Sequence, residues 1–251
     1  MLLELVLHQP REWLLAHDTD PLLAEVAAQF LTLAAKRRQG VPMAHLVGYR
    51  EFMGHRLAVS PDVLIPRPET ELLVELALQS LPASVESSLL DLGTGSGAVA
   101  ISVALARPKV RVVATDLSEP ALALAQKNAH QLGAQVQFWQ GNWYEALPPE
   151  GRFAVIVSNP PYIAHSDPHL LQGDLRFEPA GALTDGADGL AALRKIIQGA
   201  KQHLSVGGWL WLEHGFEQAQ AVVQLLLAAD FKTVETRHDL AGLPRVTGGS
   251  L

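Results

Sequence analysis

Asp91-Leu92-Gly93-Thr94-Gly95-Ser96-Gly97-Ala98 is the stretch on which the fold turns. Ser88–Leu92 reads as a short apolar strand running into it, and Ala98–Ala106 as a helix leaving it. Glycines at such a joint allow a tight turn and let a ligand approach bare backbone at the helix N-terminus. Outward from there, strands and helices alternate. Val110–Thr115 is a β-branched strand closed by Asp116, and Glu119–Leu132 is a helix stopped by Gly133. Gln135–Gln140, Phe153–Ser158, Trp209–Glu213 and Phe231–Thr236 read as strands, Gly189–Leu204 and Glu217–Ala229 as helices. This alternation implies parallel strands with crossover helices, an open twisted α/β sheet.

Upstream the pattern differs. The first 40 or so residues read as helices: Asp20-Pro21 supplies an N-cap and a proline at the first helical position, and Leu22, Leu23, Val26, Ala27, Phe30, Leu31 and Ala34 recur at helical spacing. Lys36, Arg37 and Arg38 favour the negative end of that helix, before Gly40. From Val41 to Pro68 short apolar runs alternate with Gly48, Gly54, Pro61, Pro66 and Pro68, as in a hairpin or extended connector. Helix resumes over Glu69–Leu81, and Pro82–Ser87 is a polar break that marks a boundary, with the linker within residues 60–85.

Composition restricts the function classes. A 251-residue chain buries roughly 70% of its unfolded surface on folding, enough for one large domain or a main domain with an appendage. It is 48% hydrophobic and 18% charged, which is globular and not disordered. The net charge of −7 argues against the broad basic surface of a duplex binder. With no cysteine, disulfides, thiolate zinc sites and a Cys nucleophile are excluded, which fits a reducing compartment. Met1–Leu7 is apolar but lacks the basic flank and cleavage site of a signal peptide. A cytoplasmic location is the expectation.

The glycine loop and Asp116 together suit an adenosine ligand, since a carboxylate at the second strand end can accept hydrogen bonds from both ribose hydroxyls. The spacing Gly93, Gly95, Ala98 leaves NAD possible. Asp91 and the extra Gly97 fit a cofactor with an amino-acid tail better: Asp91 could face an ammonium group and would repel a pyrophosphate. S-adenosyl-L-methionine is the preferred reading.

Phe153–Ser158 runs into Asn159-Pro160-Pro161-Tyr162, outside the carboxyl end of a strand and so beside the glycine loop. A planar –NH2 group on a carbonyl or aromatic ring is a poor nucleophile, because its lone pair is delocalised. The Asn159 side-chain oxygen could accept one of its hydrogens and the Pro160 carbonyl the other. Two such acceptors would orient the nitrogen toward a methyl donor and stabilise positive charge developing on it. Tyr162 could pack against the flat group. No strong base is needed.

The loop Asp91–Gly97 and the Asn159–Tyr162 turn resemble those of class I methyltransferases acting on planar amino groups. Pro42–Gly48, Glu51–Gly54, Val63–Glu71, Arg176–Pro179, Asp188–Leu190, Leu212–Gly215 and Asp239–Val246 are similar to segments of the peptide chain release factor glutamine methyltransferases, the PrmC/HemK family. The likeness spans nearly the whole chain, and Ile65-Pro-Arg-Pro-Glu-Thr-Glu71 is its most discriminating stretch. It implies a Rossmann-like domain with a mixed seven-stranded sheet, residues 69–251, behind a helical partner-binding domain, 1–42, and a β-hairpin connector, 43–68. It implies methyl transfer to the side-chain amide of the glutamine in a release factor's Gly-Gly-Gln loop. Cofactor contacts would be Gly93, Thr94, Gly95, Ser96, Gly97, Asp116, Trp143 and Asn159. Catalytic residues would be Asn159, Pro160 and Tyr162, and substrate contacts Asn159, Pro160, Pro161 and Tyr162. Trp143 would wall the adenine or simply fill the core. Arg67 and Glu69 would order the loop over the cofactor, or form a surface ion pair. The helical region, beginning at Met1-Leu-Leu-Glu4, is shorter than usual in the family, which leaves the docking surface open. A monomer without direct nucleic-acid contact is expected.

Other features carry less. His165 and His169 have zinc-helix spacing, but Asp167-Pro168 separates them and no third ligand is evident, so no metal is expected. Ser166 and Asp167 lack a nucleophile-elbow context. Rival readings are a ribosomal-protein glutamine methyltransferase, a nucleic-acid amino methyltransferase, and a cofactor-binding assembly factor without catalysis.

Overall fold

The computed structural model describes residues 1–81, 87–148 and 151–251. The polar break expected at Pro82–Ser87 therefore lies, apart from Ser87, outside the described residues. In chain order the elements are α1 (Leu2–Leu7), α2 (Arg11–Ala16), α3 (Ala24–Arg38), α4 (Met43–Val47), β1 (Tyr49–Phe52), β2 (His55–Ala58) and α5 (Glu71–Ser80). Then follow β3 (Ser88–Leu92), α6 (Ala98–Ala106), β4 (Arg111–Asp116), α7 (Glu119–Leu132), β5 (Val136–Gln140), β6 (Phe153–Ser158) and α8 (Ala180–Leu183). The chain ends with α9 (Ala191–His203), β7 (Leu204–Glu213), α10 (Ala219–Ala228), β8 (Lys232–His238) and β9 (Pro244–Ser250).

A seven-stranded sheet has the order β5-β4-β3-β6-β7-β9-β8. β5, β4, β3, β6 and β7 are mutually parallel, and β9 runs antiparallel between β7 and β8. Helices cover both faces, so the central strands are apolar on both sides instead of alternating. Leu89, Val112, Val155, Val157 and Trp211 pack with α5 and α6 on one face. Leu90, Val113, Ile156, Leu210 and Leu212 meet α9 and α10 on the other. α6 is apolar all round and buried from Ala98 to Ala104, as expected of a helix enclosed on every side.

Three local expectations need correction, and one strand has no counterpart among them. The third helix does not start at Asp20-Pro21: its first residue is Ala24, and Leu23 stands at the N-cap without a side-chain bond. Leu22 and Leu23 are 44% and 75% exposed, so an extra turn there would gain too little burial to offset its ordering entropy. Residues 43–47 are helical, which confines the hairpin to Tyr49–Ala58. The helix expected from Gly189 begins at Ala191, because Asp185 and Asp188 accept the backbone N–H groups of Gly189, Leu190 and Ala191. β9 carries no strand signal in Pro244-Arg-Val-Thr-Gly-Gly-Ser250. Gly248 sits there because a Cβ would stand 2.2 Å from Trp211 Cε3 and 2.5 Å from the Leu210 carbonyl oxygen.

One buried side chain joins the hairpin to α7 and to the glycine loop. Asn128 on α7 accepts from Ala58 N at 2.9 Å and donates to the carbonyls of Ala58 (3.0 Å) and Ser96 (2.9 Å). The connector and the glycine loop are thus held by the same amide. The N-terminal helices are anchored through Arg37, which bonds Val41 O (2.9 Å) and Asp174 (3.2 Å), and through Arg176, which bonds Gln39 O (2.7 Å). Among the described residues no helix is long and apolar enough to cross a membrane.

Candidate active site

β3 connects to β4 on one side of the sheet and β6 to β7 on the other, so a crevice opens above their carboxyl ends. A cavity of about 480 Å³ occupies it, a size suited to a small-molecule ligand. Gly93, Thr94, Gly95 and Ser96 form its floor, Asp116 and Trp143 one side, and Asn159 and Pro161 another. The Asp62–Pro66 segment and Pro179–Ala182 also line it, and they are joined through Glu178, which accepts from Ile65 N.

The loop is shaped from below. Gly93 N and Thr94 N both donate to Thr115 O, at 2.9 and 3.0 Å, which draws the turn over β4. Asp91 is 2% exposed, and its Oδ2 accepts from Thr94 Oγ1 (2.7 Å) and from Ala100 N (3.2 Å) in the first turn of α6. Its carboxylate therefore already serves a helix N–H group of the kind that binds a pyrophosphate. Burial pushes Asp91 up to about 6, against the pull of the Thr94 and Ala100 hydrogen bonds. Gly97 does not reach the cavity wall; it turns the chain into α6 at φ +84°.

Asp116 accepts from Gly95 N (2.8 Å) through Oδ2 and from Ser118 N (2.9 Å) through Oδ1. Burial raises its pKa, opposed by these bonds. Trp143 packs on the α9/α10 core and also lines the cavity. Its ring lies against Gly93, where a Cβ would come within 3.1 Å of Cζ3. An acid beside the glycine loop, apolar walls from Val63, Leu64, Pro66, Leu117 and Trp143, and a cavity of this volume fit an adenosine with an amino-acid tail.

Asn159 opens onto the same cavity as Gly93, and its Nδ2 donates to Thr70 Oγ1 at 3.2 Å, which leaves Oδ1 to accept from another group. Pro160 is buried between Asn159 and Pro161, which both line the cavity. Tyr162 is not brought to the cavity: its ring packs on the core cluster beneath, and its hydroxyl donates to Glu213 at 3.3 Å. Burial keeps that hydroxyl far above its ordinary pKa, so it stays a donor.

Arg67 is paired neither with Glu69 nor at the surface. Its guanidinium meets Glu178, whose side chain is fully buried and also accepts from Ile65 N at 2.9 Å. The Pro-rich segment over the cavity is thereby clamped to a residue far along the chain. Thr70, Asn128, Glu178 and Glu213 escape sequence reasoning, since each acts through a partner distant in sequence. The Val63–Glu71, Arg176–Pro179 and Leu212–Gly215 stretches of the resemblance contain three of them, without saying what they bond. His169 bonds the neighbouring Asp167 in an exposed turn.

Comparisons with known proteins bear on the fold and the family. The pattern of a family described as methyltransferase small domain matches residues 70–175, and one described as PrmC N-terminal domain matches residues 1–48. The release factor glutamine methyltransferase of Bordetella pertussis is 58% identical over 251 residues, covering 100% of this chain and 93% of its own. That of Escherichia coli is 45% identical over 250 residues, covering 99% and 90%. Among solved structures, a 16S rRNA methyltransferase of T. thermophilus in complex with AdoMet and guanosine shares the fold, with TM-score 0.57 and 21% identity, over 80% of this chain and 49% of that one.

Proposed function

The chain belongs to the release factor glutamine methyltransferase family, and on that premise we propose that it transfers a methyl group from S-adenosylmethionine to the side-chain amide nitrogen of the glutamine in a release factor's Gly-Gly-Gln loop. The observation that carries this reading is that Asn159 and the Asp116–Gly95 pair face one cavity. Asp116 would hold the ribose hydroxyls, the loop Gly93–Ser96 the amino-acid tail, and Trp143 the adenine. When bound there, S-adenosylmethionine supplies an electrophilic methyl on a sulfonium centre.

The chain's own contribution is positioning. Asn159 Oδ1 would accept one hydrogen of the substrate carboxamide, and the Pro160 carbonyl the other. With both hydrogens held, the nitrogen is fixed in orientation, and the positive charge that grows on it is met by two oxygens. The proton on that nitrogen becomes acidic only as the charge develops and would then leave to solvent, so no buried general base is required. Tyr162 supports the turn from below. Residues 1–42 carry exposed Leu15, Leu22, Leu23 and Leu31 and would grip the body of the release factor, so that only its flexible loop enters the cavity.

The test is direct. Labelled S-adenosylmethionine is incubated with the protein and, separately, release factor, ribosomal protein and nucleic acid. Label on release factor that vanishes after Gln→Ala in the Gly-Gly-Gln loop supports the reading. Label confined to ribosomal protein, RNA or DNA defeats it.

A further inference from the structure

The Asn159–Tyr162 turn has few means of holding itself in place. Pro160 and Pro161 bring no N–H, and the Pro160 carbonyl has to stay free for the substrate amide. Beyond Asn159, the turn is held at its far end. Ile163 N donates to Leu183 O and His165 N to Ala187 O, both at 2.9 Å, which laces the chain after the turn to the loop before α9. The Tyr162 carbonyl accepts at 2.9 Å from the side chain of Gln218, 56 residues further along.

Gln218 is half-buried and closes the single turn Phe216–Gln218 that leads into α10. Both ends of its amide are used. Oε1 accepts from Gly215 N at 2.9 Å, and Nε2 donates to Tyr162 O at 2.9 Å and to Gly189 O at 3.1 Å. All three partners are backbone groups with fixed roles: an N–H only donates and a carbonyl only accepts, so the amide has one orientation. Gly189 fits the same junction. Its φ is +80°, and a Cβ there would run into Tyr162 O and stand 2.9 Å from Gln218 Nε2. Gly215 is a firm anchor, since its carbonyl lies 2.9 Å from Nδ1 of the fully buried His214, whose Nε2 is 2.7 Å from Thr247 Oγ1 on β9.

The bond to Gly215 has a local explanation. It is half of a capping box, in which the third residue of a helical turn reaches back to the N–H that precedes it, and either Glu or Gln serves. The two Nε2 bonds have no such explanation: they span 56 and 29 residues, and a glutamate would make neither. We propose that Gln218 is a positioning residue which, by holding the Tyr162 carbonyl, fixes the Asn159–Tyr162 turn so that the Pro160 carbonyl stays in place as an acceptor for the substrate amide. This inference rests on the glutamine-methylation reading and deepens it. The hold is transmitted because few rotations separate the two carbonyls, the Pro161 ring fixing its φ near about −65°. Displacing an acceptor by about 1 Å can cost about 100-fold in rate.

The experiment compares methylation of a release factor by wild type, Gln218→Glu and Gln218→Met, well below the unfolding temperature of each. kcat and the KM for release factor are measured, together with S-adenosylmethionine affinity by calorimetric titration. Gln218→Glu keeps the bond to Gly215 N, and with it the start of α10, but loses both long-range donors. Its kcat should fall by about 10- to 100-fold, with cofactor affinity and release factor KM within about threefold, because the residues that would hold them stand on other elements. Gln218→Met, which keeps the length of the side chain without its polar atoms, should lose kcat to a similar extent. A Gln218→Glu enzyme with kcat within about threefold of wild type overturns the proposal, since the capping bond would then be all that matters. Equal losses of kcat and cofactor affinity overturn it as well, because Gln218 would then support the whole pocket. Should Gln218→Glu not fold, Gln218→Met decides by the same measurements. Failure of wild type to label the loop glutamine refutes the functional reading instead, so the two failures are distinguishable.

Discussion

Asn159→Ala tests the chemistry most directly. The side chain lines the cavity with Nδ2 committed to Thr70, so truncation removes one acceptor from the reacting nitrogen and one donor from the Thr70 oxygen. Losing a preorganised partner of transition-state charge typically costs about 10²- to 10³-fold in turnover, or about 3–4 kcal/mol. The cofactor keeps Asp116, the glycine loop and Trp143, so its affinity should fall by less than about tenfold, under about 1.4 kcal/mol. Folding should lose about 1 kcal/mol, the usual net worth of a hydrogen bond. Rapid-quench single-turnover assays with labelled cofactor give the first quantity, calorimetric titration the second and denaturant unfolding the third. Equal loss of turnover and cofactor affinity would refute the reasoning, because Asn159 would then shape the cofactor pocket and not the transition state. Turnover within about threefold of wild type would refute it equally.

Asp116→Ala should weaken cofactor binding about 100-fold, as it removes charge-assisted acceptors, yet leave turnover at saturating cofactor within a few-fold; titration calorimetry would expose the opposite pattern. Gly97→Ala places a Cβ 2.7 Å from Ile101 Cδ1 and 3.1 Å from Ala125 Cβ at a φ of +84°, and should cost about 1–3 kcal/mol in denaturant unfolding. Unchanged stability there would mean that the loop relaxes freely. Glu213 bears on stability with a definite sign. Its folded pKa, raised to about 7 from 4.5, means that the native state holds the proton more tightly than the unfolded chain. The resulting stabilisation is complete below about pH 4.5 and is lost as pH rises through about 7. Glu213→Gln should therefore be more stable than wild type at pH 8, by about 1–3 kcal/mol, and lose that advantage near pH 5; a constant difference across pH would contradict the assignment.

Several features of the site were legible because they rest on local rules. An apolar run, a glycine turn and a second apolar run specify strand, loop and helix through hydrophobic period and backbone freedom alone. Residues at the carboxyl ends of parallel strands must meet, so Gly93, Asp116 and Asn159 could be placed around one crevice from their order in the chain. The same rules failed at Asp20-Pro21, where good capping chemistry meets no apolar surface to bury, and at β9, where two glycines hide a strand whose place is set by the Trp211 ring.

What the sequence determined by itself was the wound α/β sheet, the glycine cradle with its acidic companion, and an acceptor-bearing turn at the next strand end but one. Tertiary structure decided that Tyr162 turns inward to Glu213, that Arg67 answers to Glu178, and that Thr70 accepts from the Asn159 amide. Periodicity records which face a residue belongs to. It does not record which distant side chain shares a proton with it, because that depends on distances of about 3 Å set only after the sheet has closed against its helices.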